Sequence, residues 1–147
     1  MKLGTETGSM VNHLQARATL GEPTPEVGMG VTILLWTDRH AGTIQRIFEE
    51  RGQTVLEVTT DKATLVSGSK FSEEQGYTFE PRPDGPKAYF KKRLDGQWRE
   101  FEYKVIDSKY DEATDTRHET RSSRLSLKDG GHGLRVGERD EYEDPSF

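Results

Sequence analysis

The stretch Trp36-Thr37-Asp38-Arg39-His40 sets a carboxylate, a guanidinium and an imidazole side by side behind an indole. An arginine fork beside a carboxylate can hold a phosphate or a partner's carboxylate, and a rim tryptophan next to an arginine makes a stacking platform for a planar ligand. The structural alternative is that Asp38 accepts backbone N–H bonds to shape a turn, Arg39 pairs with a neighbouring acid and Trp36 lies in the core. Asn12-His13 is a second constellation. Both side chains donate and accept hydrogen bonds, so an arm carrying them could close over residues 36 to 40. It could equally be a helix face anchored by one polar contact. If the corner binds, Asn12, His13, Trp36, Asp38, Arg39 and His40 form the site, and Arg39→Ala should abolish capture with little loss of stability.

Catalysis has weaker support. His13 or His40 with Asp38 would be the acid–base pair of a small hydrolase. No G-x-S-x-G, Walker loop or dinucleotide fingerprint accompanies them. The histidines at 13, 40, 118 and 132 have no metal-ligand spacing, and the chain has no cysteine. A metal or other cofactor is therefore not expected.

These residues must be positioned by the elements around them. Ser9 can cap a short helix through Leu20, with Met10, Leu14 and Ala18 at helical spacing and Gly21 as the stop. Pro23-Thr24-Pro25 then forces extended chain, so residues 1–26 read as an N-terminal arm. Short strands follow near 31–36, 43–49, 54–60, 63–66, 77–81, 87–93 and 97–105, several with period two: Phe101, Tyr103 and Val105 alternate with Glu100, Glu102 and Lys104. Asp95-Gly96 is the strongest signal for a type I′ hairpin turn, and Arg51-Gly52 also sits between two runs. Residues 27–106 thus predict a mainly β body, an antiparallel sheet or small SH3-like barrel. Residues 107–123 carry almost no apolar anchor and predict a polar loop. Over 124–147, Leu125, Leu127, Leu134 and Val136 flank a glycine-rich turn, which predicts a C-terminal hairpin with an acidic tail.

Composition narrows the function classes. With 147 residues one domain is the default, yet only 31% are hydrophobic and 32% are charged. The core is small for the length, so part of the chain is either flexible or ordered by another subunit, and the second reading predicts a homo-oligomer in which an end of the chain crosses a subunit boundary. Tyr142 and Phe147 among the tail's acids suggest that the tail docks. A net charge of −5 disfavours nucleic acid, although Lys91, Lys92 and Arg93 could form a local basic patch. No run approaches the roughly 18 apolar residues of a membrane span, and the start lacks the pattern of a secretory signal. A cytoplasmic protein is expected.

Thr7-Gly8-Ser9 with Asn12-His13, Pro23-Thr24-Pro25, Gly28-Met29-Gly30, Trp36-Thr37-Asp38-Arg39, Thr43, Asp61-Lys62-Ala63, Gly96 with Trp98, Gly137-Glu138-Arg139, Tyr142 and Asp144-Pro145-Ser146-Phe147 resemble, nearly end to end, a group of small bacteriophage and prophage proteins. The resemblance implies a phage origin, hence the host cytosol, and lends the chain no known activity. The expected function is non-enzymatic binding. The protein is either an interaction module for a host protein or phage component, or a sequestering protein for a small anionic, nucleotide-like ligand.

Overall fold

The structure, a computed structural model, describes residues 22–68 and 75–144. The expected helix over 9–20, with Asn12 and His13, lies outside the described residues. Nine strands follow in order: β1 (Gly30–Leu34), β2 (Arg39–Glu50), β3 (Gln53–Thr60), β4 (Lys62–Gly68), β5 (Gln75–Glu80), β6 (Lys87–Lys92), β7 (Trp98–Asp111), β8 (Thr116–Leu127) and β9 (Gly133–Val136). Among the described residues no helix is long and apolar enough to cross a membrane.

The fold is mainly β and antiparallel, as its period-two segments predict. Seven strands run in the order β6-β3-β2-β1-β9-β7-β8, and β6 also pairs with β7. That pairing closes β6, β3, β2, β1, β9 and β7 into a barrel with every neighbour antiparallel. Over the segments paired around the ring, closure leaves no open edge, so the backbone groups there are satisfied. Val31, Ile33, Ile44, Leu56, Val58, Phe90, Trp98, Leu134 and Val136 fill the core. At Gly42 in β2 a Cβ atom would sit 2.9 Å from the Thr59 carbonyl oxygen, so only glycine permits the close approach to β3.

β3 is buried on both faces from Val55 to Thr59. Leu56 and Val58 belong to the main core, whereas Val55 joins Phe101 and Leu125 in a second cluster backed by Phe48, Tyr89 and Tyr103. Tyr89 meets Tyr103 edge-on, with ring centroids 5.0 Å apart. This second cluster fixes the base of the β7–β8 hairpin.

Three expectations are corrected. Residues 107–123 are not a polar loop: most of them lie in β7 and β8, whose ladder runs from Phe101↔Leu127 to Asp111↔Thr116. Both faces of that ribbon are wet, so the apolar alternation that marks a half-buried strand never develops. The C-terminal hairpin does not form either, because β9 pairs with β1 and β7 rather than with β8. Finally, positive φ at both central turn residues occurs at Arg51 (53°) and Gly52 (75°), the type I′ pattern, while at Asp95-Gly96 only Gly96 has it (81°). There the Gly96 N–H donates to the Arg93 carbonyl at 2.9 Å, giving a turn that ends in a glycine bulge.

Glu22 bridges the approach segment to the barrel, its Oε1 accepting the Val136 N–H at 3.0 Å. Burial pushes its carboxyl from 4.5 up to about 7. The folded state therefore keeps a proton that the unfolded chain releases between those values, and stability falls as pH rises from 4.5 to about 7. Glu22→Gln keeps the acceptor without the charge. It should be more stable than the parent by roughly 2 kcal/mol at pH 8 and nearly equal to it at pH 4.5, as read from urea unfolding at both values.

Candidate functional site

The 36–40 corner begins as a tight turn, with the Leu35 N–H donating to the Asp38 carbonyl at 3.0 Å. Arg39 and His40 are not in the loop that apolar patterning suggests; they open β2, opposite Leu34 and Ile33. β2 overhangs β3, whose pairing stops at Gly42↔Thr60. The overhanging edge would leave backbone groups unpaired. Residues 138–144 cover it.

Each residue of that tail makes a contact. The chain turns off the barrel at Gly137, where φ is 100°. The Thr32 hydroxyl donates to the Glu138 carbonyl at 2.6 Å. Arg139 donates from Nε to Asp61 at 2.9 Å and from Nη2 to the Thr43 hydroxyl at 3.0 Å, and Thr43 in turn donates to Asp61 at 2.7 Å. The Asp61 side chain is 0% exposed. Gly30 makes room for Arg139, since a Cβ there would lie 2.7 Å from Arg139 Cγ. Asp140 pairs with Arg39 at 2.8 Å. Glu141 contacts His40 Nδ1 at 2.7 Å and accepts the Ala41 N–H at 3.0 Å. Tyr142 exchanges both backbone bonds with Arg39, at 2.8 and 2.9 Å. The Gln75 amide pairs reciprocally with the Glu143 backbone at 2.8 and 3.1 Å, and Asp144 donates its N–H to Asp38 Oδ1 at 2.7 Å.

The corner is therefore a latch for the chain's own tail. Asp38, Arg39 and His40 are brought together, but towards residues 138–144 rather than around a cleft. Trp36 is 73% exposed and is not part of the core. Arg39 is 2% exposed with its guanidinium over the Tyr142 ring at 4.6 Å, so the exposed arginine expected of an anion site is instead buried and paired with Asp140. Arg39→Ala should accordingly lower stability by about 2 kcal/mol, measured by chemical unfolding, because it leaves Asp140 without its cation and Tyr142 without its stacking partner. The bond from Glu141 raises the His40 pKa above 6.5 against the opposing effect of burial. The stabilisation from that pair is complete below 6.5 and is lost as pH climbs through the raised value.

No family model matches the chain, and neither a curated protein nor a solved structure matches it. Among the described residues no group of three or more His, Asp or Glu side chains could hold a metal ion.

Two hairpins stand out from the barrel. Among the described residues the β4–β5 hairpin pairs only with itself; it carries Leu65 and Val66 exposed and is tied to the tail through Gln75. The β7–β8 hairpin is the larger. Beyond its base every residue from 104 to 121 is exposed except Asp111, which is half-buried. At about 3.3 Å per residue, the segment from Val105 to Asp111 reaches about 20 Å past the barrel. It displays Val105, Ile106 and Tyr110 at 43, 67 and 56% exposure. In its register Tyr110 stands opposite Arg117, and Lys109 opposite His118. Apolar patterning missed this arm. The signals it did carry were β-branched and aromatic residues at Val105, Ile106, Tyr110, Thr116 and Thr120, and charges of alternating sign at Asp107, Lys109 and Asp111.

Proposed function

We propose that the protein is a non-catalytic, phage-encoded interaction module working in the host cytosol, in which the barrel holds the β7–β8 arm out to bind a protein. One observation carries this: a two-stranded ribbon rooted in the second core cluster displays Val105, Ile106 and Tyr110 to solvent, with no further strand on either edge among the described residues. A two-stranded hairpin is marginal alone in water, and open edges invite strand pairing, so such an arm is stabilised when a partner packs on it. The anionic-ligand version has less support at the corner, where Arg39 is paired with Asp140. The hydrolase alternative would need His40 and Asp38 in a free acid–base pair, and Glu141 and the Asp144 amide engage them.

The test is site-specific photocrosslinking in producing cells. A photoreactive residue at Ile106 or Tyr110 should yield discrete polypeptide adducts, and one at exposed Arg82, off both arms, should not. Adducts from Arg82 alone, or none from the arm beside a copurifying small molecule, would reject the proposal.

A further inference from the structure

The barrel carries a basic groove beside the β6–β7 turn. A cavity of about 550 Å³ is lined by Gln53, Lys92, Arg93, Leu94 and Asp95. A second, of about 300 Å³, shares Arg93 and Asp95 with it and adds Arg99, Glu100 and Lys128. Lys91, the first member of the expected patch, is not in the groove: it is buried against Glu50. Glu100 is engaged by Lys128 at 3.3 Å and by His132 at 3.4 Å. Among the described residues Lys92, Arg93 and Arg99 have no carboxylate at ion-pair distance. They neighbour the Trp98 ring (5.7 Å), the Phe101 ring (5.7 Å) and the Gln97 amide (2.9 Å) respectively. Between them Leu94 is fully exposed. On a chain of net charge −5 this is a local excess of positive charge with an apolar residue at its centre.

The arm tip has the opposite character. Residues 110–116, Tyr-Asp-Glu-Ala-Thr-Asp-Thr, hold three carboxylates and no lysine or arginine; Lys109, Arg117 and His118 flank them, with His118 4.0 Å from Asp111, and Tyr110 bonds Asp115. The groove flanks Trp98, where β7 begins, and the tip follows Asp111, where it ends, roughly 40 Å of extended strand away, so the tip does not reach its own groove. A complementary tip and groove on one rigid chain must meet between molecules.

We propose that the occupant of the groove is the arm tip of a second copy of this chain. Asp111, Glu112 and Asp115 face Lys92, Arg93 and Arg99, and Tyr110 packs on Leu94. The contact is head-to-tail, so each copy offers a tip to one neighbour and a groove to another, and the product is a ring or a filament according to the rotation between copies. This rests on the arm being the binding element, as proposed above.

Charge reversal on the full chain tests it. Three variants are compared with the parent by sedimentation velocity at 5–100 µM in 50 mM salt: a tip variant (Asp111→Lys, Glu112→Lys, Asp115→Lys), a groove variant (Lys92→Glu, Arg93→Glu, Arg99→Glu) and their combination. The parent should self-associate and dissociate at 0.5 M salt, where the Debye length is only about 4–5 Å. Each single set should weaken association at least tenfold. Mixing the two, or combining them in one chain, should restore it, because every tip again meets a groove of opposite sign. Circular dichroism checks that each variant is folded. A parent that stays monomeric overturns the inference. So does association that survives both reversals. In the latter case, replacing 104–124 by Asn-Gly separates the two proposals: loss of association leaves the arm as the binding element with a different dock, and persistence removes both. A monomeric parent whose groove binds a single-stranded oligonucleotide in a salt-dependent way also overturns it and assigns the groove to nucleic acid.

Discussion

Asp61→Ala should lower the stability of the protein by about 3–5 kcal/mol, one of the largest losses any single substitution will produce. The carboxylate is completely enclosed and accepts from Arg139 Nε at 2.9 Å and from the Thr43 hydroxyl at 2.7 Å. Removing it leaves a guanidinium packed across Gly30 with Thr43 as its one remaining side-chain acceptor among the described residues, and leaves a cavity behind it. Against the roughly 5–15 kcal/mol that holds a typical domain folded, that is a large fraction. Asp61→Asn keeps an acceptor for one partner and loses the charge, so it should fall between parent and alanine. The tail should respond before the barrel does. In Asp61→Ala, amide hydrogen exchange at Tyr142 and Asp144 should accelerate well beyond that at Val58 or Phe90. A denaturation midpoint equal to the parent's, with the tail still protected, would show that the Arg139 triad holds nothing.

Much of the barrel was legible in the sequence because its strands are short apolar or alternating runs set between turn residues. The segments expected near 31–36, 54–60, 87–93 and 97–105 correspond to β1, β3, β6 and the barrel part of β7. The corner was half legible. Asp38 does accept a backbone N–H and Arg39 does pair with an acid, but those partners, Asp144 and Asp140, lie about a hundred residues away. No local pattern encodes a contact of that span. Gly30, Asp38, Arg39, Thr43, Asp61, Arg139 and Tyr142, scattered along the sequence, meet in the tail latch. The arm escaped notice for the opposite reason: its information is local, but a ribbon wet on both faces needs no apolar repeat.

Glu50→Ala should be comparably damaging, and it acts on the arm. Lys91 is 3% exposed, with its ammonium 2.9 Å from Glu50, 3.2 Å from the Gln53 amide oxygen and 5.2 Å from the Phe101 ring centroid. Burial pulls the Glu50 carboxyl upward, but the bonds from Lys91 and from the Leu125 N–H outweigh it and hold the group below its usual range. Its stabilisation is therefore present above 4.5 and is lost as pH falls through the lowered value. Alanine strands a buried ammonium and also removes the acceptor of the Leu125 N–H, a loss of about 3–5 kcal/mol. Two compensated variants separate these effects. Lys91→Met with Glu50→Gln removes both charges and keeps an oxygen for Leu125, so it should unfold within about 1 kcal/mol of the parent. Lys91→Met with Glu50→Leu removes the charges and the acceptor together. It should keep the barrel while loosening the base of β8, with faster amide exchange at Leu125 and weaker capture by the arm. Equal behaviour of the two double variants would mean that Glu50 serves only to neutralise Lys91. A difference confined to the arm would mean that one carboxylate both satisfies a buried cation and aims the ribbon that the barrel presents.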